Sequence, residues 1–298
     1  MGGAIKVGTA PDSWGVWFAD NPRQTPWTRF LDEVVEAGYT RIELGPYGYL
    51  PTDQAQLKSE LEQRGLTMTA GTTFEQLHRP DGWETTWRDV APTAELAAAM
   101  GAKHLVVMPS MWRDADGSIV EERLDHAGQA AHGKQVTELG RRVAEEFGVR
   151  LQYHPHADGH VDNQRTVERF LEETDPEHVG LCLDTGHISY CGGDNLELVR
   201  KYPDRIGYLH LKQVNPEVLA AIQGQELSFD QAIERGVMAE PPHGVPEFGP
   251  LLAELAGLGV ELFAIVEQDM YPCPPEVPLP IAARTLAYLR SHGGGVSV

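Results

Sequence analysis

Eight short apolar or β-branched runs alternate with eight stretches of helical spacing from one end of the chain to the other, and this rhythm limits the possible folds more than any other feature. The runs are AIKVGTA (4–10), RIELG (41–45), LTMTAGT (66–72), HLVVMPS (104–110), RLQYHPH (150–156), VGLCLDTGH (179–187), IGYLHLKQV (206–214) and ELFAIVEQD (261–269). Between them lie amphipathic segments such as WTRFLDEVVEAGY, AELAAAMGA and VTELGRRVAEEFGV, many closed by glycine in the manner of helix C-termini. Such alternation predicts a parallel sheet covered by helices. Eight strands with eight helices predict an α/β fold, a single (β/α)8 TIM barrel forming one domain over residues 1–298. A doubly wound sheet would need a nucleotide-type glycine loop after an early strand, and G-T-A-P-D-S-W-G does not match G-x-G-x-x-G.

Two segments break the rhythm: 111–135, before the fourth helix, and 215–247, after the seventh strand. Both follow strand C-termini, so both are expected to overhang the mouth of the barrel, where this fold carries its chemistry. No internal repeat, low-complexity tract or linker divides the chain.

Apolar residues at 41% and charged residues at 23% allow a sizeable core. A formal charge of -20 with no local basic patch argues against nucleic acid as a partner. No apolar run is long enough to span a membrane and the N-terminus does not read as a signal peptide, so no membrane partner is expected and the expected location is cytoplasmic. Cys182, Cys191 and Cys273 are odd in number and lack C-x-x-C spacing, which predicts reduced thiols and no zinc knot.

In a barrel of this kind catalytic groups stand at the C-terminal ends of the strands. Four consecutive strands end in potential ligands: His154 and His156, then Asp184 and His187, then His210 and Lys212, then Glu267 and Asp269. Ionisable groups crowded around one mouth carry a large desolvation cost unless a cation or mutual pairing offsets it. His154, Asp184, His210 and Glu267 therefore form a candidate N2O2 set for a divalent metal. Such a set suits Mn(II), Co(II), Fe(II) or Zn(II) better than Mg(II) or Ca(II), which prefer oxygen shells. Mn(II) and Co(II) are the first choices, with Zn(II), Fe(II) or Mg(II) left open.

The neighbours acquire roles by position. Lys212 is either a substrate clamp and acid or a lysine in solvent at the rim, and His187, one helical turn past Asp184, is a further candidate. His156 and His160 are candidates for orienting substrate or supporting the ligands. Glu43 on the second strand either bonds a substrate hydroxyl or caps the following loop. Trp14 and Trp17 either floor a sugar-sized ligand or pack beneath a loop.

Taken together, A-P-D-S-W-G, I-E-L-G, Y-H-P-H, L-D-T-G-H, D-R-I-G-Y-L-H-L-K and V-E-Q-D resemble the xylose-isomerase-like TIM-barrel superfamily of sugar isomerases and epimerases, over essentially the whole chain. Within it the likeness is greatest to the inosose dehydratases. The resemblance implies a divalent metal held by Glu, Asp, His and Glu from successive strands, with the two glutamates acting as acid and base in the ketose epimerases. Asp184, His210 and Glu267 fall on matching positions, whereas His154 stands where the epimerases have glutamate.

That departure has a physical consequence. Epimerisation needs an acid and a base on opposite faces of one carbon, and a metal-bound imidazole is a poor substitute for a carboxylate base. Dehydration next to a ketone needs one base, a cation and an acid for the departing hydroxide. The resemblance thus implies a metal-dependent dehydratase (lyase) acting on a keto-polyol such as 2-keto-myo-inositol in inositol catabolism. Glu267 is the expected base, with His187, His156 or Lys212 protonating the leaving oxygen. A metal-dependent ketose isomerase or epimerase is the runner-up, and a non-catalytic polyol-binding barrel is the third reading. A homo-oligomer paired through the overhanging loops stays open.

Overall fold

The computed structural model describes residues 4–292 and 296–297. Eight strand positions form one parallel sheet: Ile5–Thr9, Arg41–Ile42, a third strand in two pieces (Thr67–Met68 and Ala70–Glu75), His104–Pro109, Arg150–Tyr153, Val179–Asp184, Ile206–Leu211 and Leu262–Val266. Each pairs with its neighbour in sequence, and the eighth pairs with the first in the register Ile5 to Leu262 and Thr9 to Val266. The break at Thr69 closes the cylinder: Thr67–Met68 ladders onto the second strand, and Ala70–Glu75 onto the fourth. The (β/α)8 architecture expected from the alternation is the one observed.

Helices cover the outside because each presents an apolar stripe to the sheet. In Trp27–Ala37 the buried side chains include Phe30, Leu31 and Val34, and the helix stops at Gly38, whose φ of 93° a side chain would resist. The main core lies between sheet and helices, while a small cluster of Ala10, Ala70, Val106, Cys182, Tyr208 and Ile265 fills the barrel's interior. Among the described residues no helix is long and apolar enough to cross a membrane.

Strands end sooner than the segments expected for them. The fifth stops at Tyr153 and the eighth at Val266, so the polar residues that follow are free to turn inward over the mouth. The irregular segment expected over 111–135 is shorter, because the long fourth helix begins at His126, where Asp125 caps it by accepting from the Gly128 N–H at 2.8 Å. The helix inferred from AELAAAMGA extends back to Gly82 and contains Pro92, a residue that usually ends a helix. Segment 215–247 is not plain loop: it carries the short helices Pro216–Ile222 and Phe229–Glu234 and a ribbon pairing Met238–Ala239 with Gln213–Val214.

Candidate active site

One motif, L-D-T-G-H, builds most of the site's scaffold, each residue for a different reason. Asp184 ends the sixth strand and caps the helix Thr185–Tyr190, its Oδ1 accepting from the His187 N–H at 2.7 Å and its Oδ2 left facing the barrel axis. The Thr185 hydroxyl sits against the backbone of Lys212, donating to its carbonyl at 2.6 Å and accepting from its N–H at 2.9 Å. Gly186 makes room for the lysine stem, since a Cβ there would collide with Lys212 Cβ. On the other side Ser13, from P-D-S-W-G, donates to the Val266 carbonyl at 3.1 Å and accepts from the Gln268 N–H at 3.0 Å, which fixes the segment carrying Glu267.

The four expected ligands converge. His154, Asp184, His210 and Glu267 are all buried, and one ligand atom from each lies within 4.8 Å of the others. His154 Nε2 is 3.1 Å from Asp184 Oδ2, His210 Nδ1 is 3.8 Å from the same oxygen, and His210 Nδ1 is 2.7 Å from Glu267 Oε2. Tetrahedral ligands about 2.0–2.1 Å from a cation stand about 3.3 Å apart, and these three separations bracket that spacing. His210 Nδ1, the nitrogen that faces Asp184 and Glu267, is buried without a hydrogen-bond partner, as an atom reserved for another ligand would be.

Glu43 has a role the sequence did not single out. It is 1% exposed, and its Oε2 accepts from His210 Nε2 at 3.0 Å while Thr72 donates to Oε1. Both its oxygens are thus engaged by His210 and Thr72, and a carboxylate behind an imidazole is the arrangement that fixes tautomer and raises basicity in metal sites.

Lys212 is buried, with its side chain 4% exposed, so the solvent-exposed rim position does not apply. Its Nζ lies 2.9 Å from Glu267 Oε2, 3.3 Å from Asp184 Oδ2, 3.2 Å from Asp269 Oδ1 and 3.5 Å from His187 Nε2. Burial opposes its charge, but Asp184, Asp269 and Glu267 outweigh burial and hold its pKa well above the ordinary value. Burial likewise opposes ionisation of Glu267, yet His210 and Lys212 bring its carboxyl down to about 2. Burial raises Asp269, whose Oδ2 has no partner, and raises Asp12 with help from the Glu267 charge. Asp269 was expected at this mouth from its place after the eighth strand, whereas Asp12 carried no such signal and is brought to the basin by the tertiary fold.

The two remaining histidines are neutral and oppositely poised. His187 Nδ1 accepts from the Ala157 N–H at 3.2 Å, so its proton sits on Nε2, and the 3.5 Å approach of the Lys212 ammonium to that nitrogen sets two donors side by side rather than making a hydrogen bond. His156 Nδ1 donates to the Ala157 carbonyl at 2.7 Å, so its Nε2 keeps a lone pair. Burial depresses both, His156 to about 3 and His187 well below the ordinary value. Their rings lie 3.8 Å apart, and Phe229 closes over them at 4.5 Å from His187 and 5.5 Å from His156. Segment 215–247 thus does overhang the mouth. Phe229 is held by its own N–H on Asp158 Oδ2 at 2.6 Å, and Asp158 adopts a φ of 62°, which aspartate tolerates better than most residues.

Trp14 is not at this site. It is fully buried against Phe30, with its indole N–H donated to Glu33 at 2.8 Å, so it serves packing under a loop. Trp17 stacks on Tyr271. Cys182 is unpaired inside the barrel, and burial pushes its thiol up to about 12, which makes it a poor nucleophile.

A family model described as Xylose isomerase-like TIM barrel matches residues 31–292. A rhizopine catabolism protein, MocC, of Rhizobium meliloti is 32% identical to this chain across 90% of it and 83% of that protein. An inosose dehydratase of Geobacillus kaustophilus (strain HTA426) is 31% identical across 90% of the chain and 88% of its own length. Among solved structures, the IOLI protein with a bound zinc atom superposes with a TM-score of 0.74 at 16% identity, covering 95% of this chain and 97% of that one. The probable 3-DHS dehydratase AsbF of Bacillus anthracis gives 0.68 at 15% identity, with 96% and 99% covered. These two structural likenesses bear on the fold.

Proposed function

The chain belongs to the xylose isomerase-like TIM barrel family, and on that premise we propose that it is a metal-dependent hydro-lyase removing water from a keto-polyol of the inosose type. Similarity to inosose dehydratases over most of both chains supports the substrate class. The observation that carries the reaction type is the buried Lys212–Glu267 pair, 2.9 Å apart beside the four-ligand basin, because elimination needs an acid and a base that can pass a proton between them.

A divalent cation held by His154, Asp184, His210 and Glu267, for which we favour Mn(II) or Co(II), supplies Lewis-acid polarisation of the substrate ketone when bound. The contacts of Glu267 with His210 and Lys212 both run through Oε2, and we assign Oε1 to the α-proton. The Lys212 ammonium offsets the negative charge that develops as the proton leaves. It then gives a proton to the departing hydroxide, which leaves as water with the carbon–oxygen bond's electron pair. Lys212 Nζ lies 2.9 Å from the other carboxyl oxygen, Oε2, so a turn of the protonated Glu267 carboxyl returns the proton from Oε1 to the neutral amine and the cycle balances. His187 Nε2–H hydrogen-bonds the leaving hydroxyl, while His156 Nε2 and Asp269 Oδ2 accept from other hydroxyls of the polyol. Phe229 excludes water from this side of the basin.

Residues 1–298 are read as one catalytic domain, and the three free cysteines suit a reducing compartment such as the cytoplasm. The test is incubation of Mn(II)- or Co(II)-loaded protein with 2-keto-myo-inositol. Appearance of a conjugated dione chromophore is expected. No elimination with either metal overturns the reading, and solvent deuterium entering the α-carbon without loss of water would instead assign epimerisation.

A further inference from the structure

A second cluster of ligand-type side chains stands apart from the four-ligand basin. His78 follows the third strand, Glu121 lies in the segment between the fourth strand and its helix, and His160 belongs to the loop after the fifth. One ligand atom of each lies within 4.8 Å of the others. His78 Nε2 is 2.6 Å and His160 Nε2 3.5 Å from Glu121 Oε2, and the two rings are 4.5 Å apart between centroids. Arg79 occupies the other carboxylate oxygen, its Nε donating to Oε1 at 2.6 Å, which leaves Oε2 turned toward both imidazoles.

The hydrogen bonding is incomplete at this cluster. His160 is 2% exposed, and neither of its ring nitrogens has a hydrogen-bond partner; His78 Nδ1 is likewise buried and unpartnered. A neutral imidazole always carries one N–H, so a buried ring with both nitrogens unpartnered lacks something its surroundings should supply. Glu121 retains 22% exposure of its side chain, which leaves the cluster an opening to solvent.

We propose that His78, Glu121 and His160 form a second divalent-cation site, separate from the first, that takes Zn(II) through two imidazole nitrogens and one carboxylate oxygen. Two histidines and a glutamate are an established zinc set, and the 2.6 and 3.5 Å separations bracket the spacing of tetrahedral ligands. The site would position rather than react. The cation joins three rim loops, and His160 sits in a turn closed by the Gly159 N–H on the His156 carbonyl at 2.9 Å and the His156 N–H on the Val161 carbonyl at 3.2 Å. Holding His160 therefore holds the turn that aims His156 at the first basin. Glu121 is linked to the same turn, because its N–H bonds the Trp112 carbonyl and the Trp112 N–H bonds the Asp158 carbonyl.

Zinc stoichiometry decides the matter independently of catalysis. Protein stripped with chelator and dialysed against Zn(II) should bind two equivalents by elemental analysis. Glu121→Gln and His160→Gln should each bind one, Asp184→Asn should also bind one, and Asp184→Asn with Glu121→Gln should bind none. Glu121→Gln keeps shape at a partly exposed position, so it decides alone if His160→Gln does not fold. One equivalent in the wild type, unchanged by Glu121→Gln, overturns the second site and leaves an ion-paired His78–Glu121–Arg79 network in its place. Two equivalents without any elimination activity would uphold this site while the proposed reaction failed.

Discussion

The Lys212 ammonium and the Glu267 carboxylate stand 2.9 Å apart with side chains only 4% and 7% exposed, each one residue past the end of two neighbouring strands of the barrel. A buried pair of this kind costs desolvation, and the cost is offset here because Asp184, Asp269 and His210 complete its surroundings. If Lys212 is the acid, Lys212→Met should lower kcat by about 10²–10⁴-fold, the usual worth of a positioned proton donor. Lys212→Arg should not restore it, because the stem passes closely over Gly186 and the ammonium fits among three carboxylates. Steady-state kinetics on both variants, with circular dichroism to confirm folding, checks this.

Glu43 is expected to act on metal affinity through His210. Glu43→Gln keeps the shape but weakens the acceptor facing His210 Nε2, and the Kd for Mn(II) or Co(II) should rise about 10–100-fold. Competition with a fluorescent chelator reads this directly.

Trp14 separates packing from catalysis. Trp14→Phe removes the indole donor and leaves Glu33 Oε2 short of a partner in a buried place, which should cost about 1–3 kcal/mol of stability. The value of kcat/KM should stay unchanged when measured well below the new Tm. A large loss of kcat/KM would instead restore Trp14 as a substrate floor.

His104 predicts part of the acid sensitivity. It lies outside the active-site mouth, at the start of the fourth strand, and burial lowers its pKa from 6.5 to about 4. The unfolded chain therefore binds this proton below about pH 6.5 while the folded chain does not, so His104 lowers stability as pH falls from 6.5 toward 4. One such group contributes at most about 1.4 kcal/mol per pH unit within that window. His104→Gln should flatten the fall of the urea midpoint between pH 6.5 and 4.5, and an unchanged slope would contradict the assignment.

The barrel and the clustering of four candidate ligands were legible in the sequence for one reason: strand C-termini in this fold share a mouth, so His154, Asp184, His210 and Glu267 could be brought together by position alone. Roles that depend on contacts between distant loops were not legible. Phe229 covers His156 and His187 only because its segment folds back onto Asp158, and Glu43 meets His210 across the barrel interior. Trp14 could be read either as a floor or as packing, and only Glu33, on the following helix, decides between them. Strand ends were overextended because the runs were carried into the polar residues that follow the last paired positions, His154–His156 after Tyr153 and Glu267–Asp269 after Val266. His78 and Glu121 carry no spacing that points to His160.

The most direct test is diffraction from a Co(II)-loaded crystal, recorded at the cobalt absorption edge. An anomalous peak enclosed by His154, Asp184, His210 and Glu267, and lost in Asp184→Asn, is the predicted result. Well-ordered side chains at those four positions with no peak among them would contradict the account.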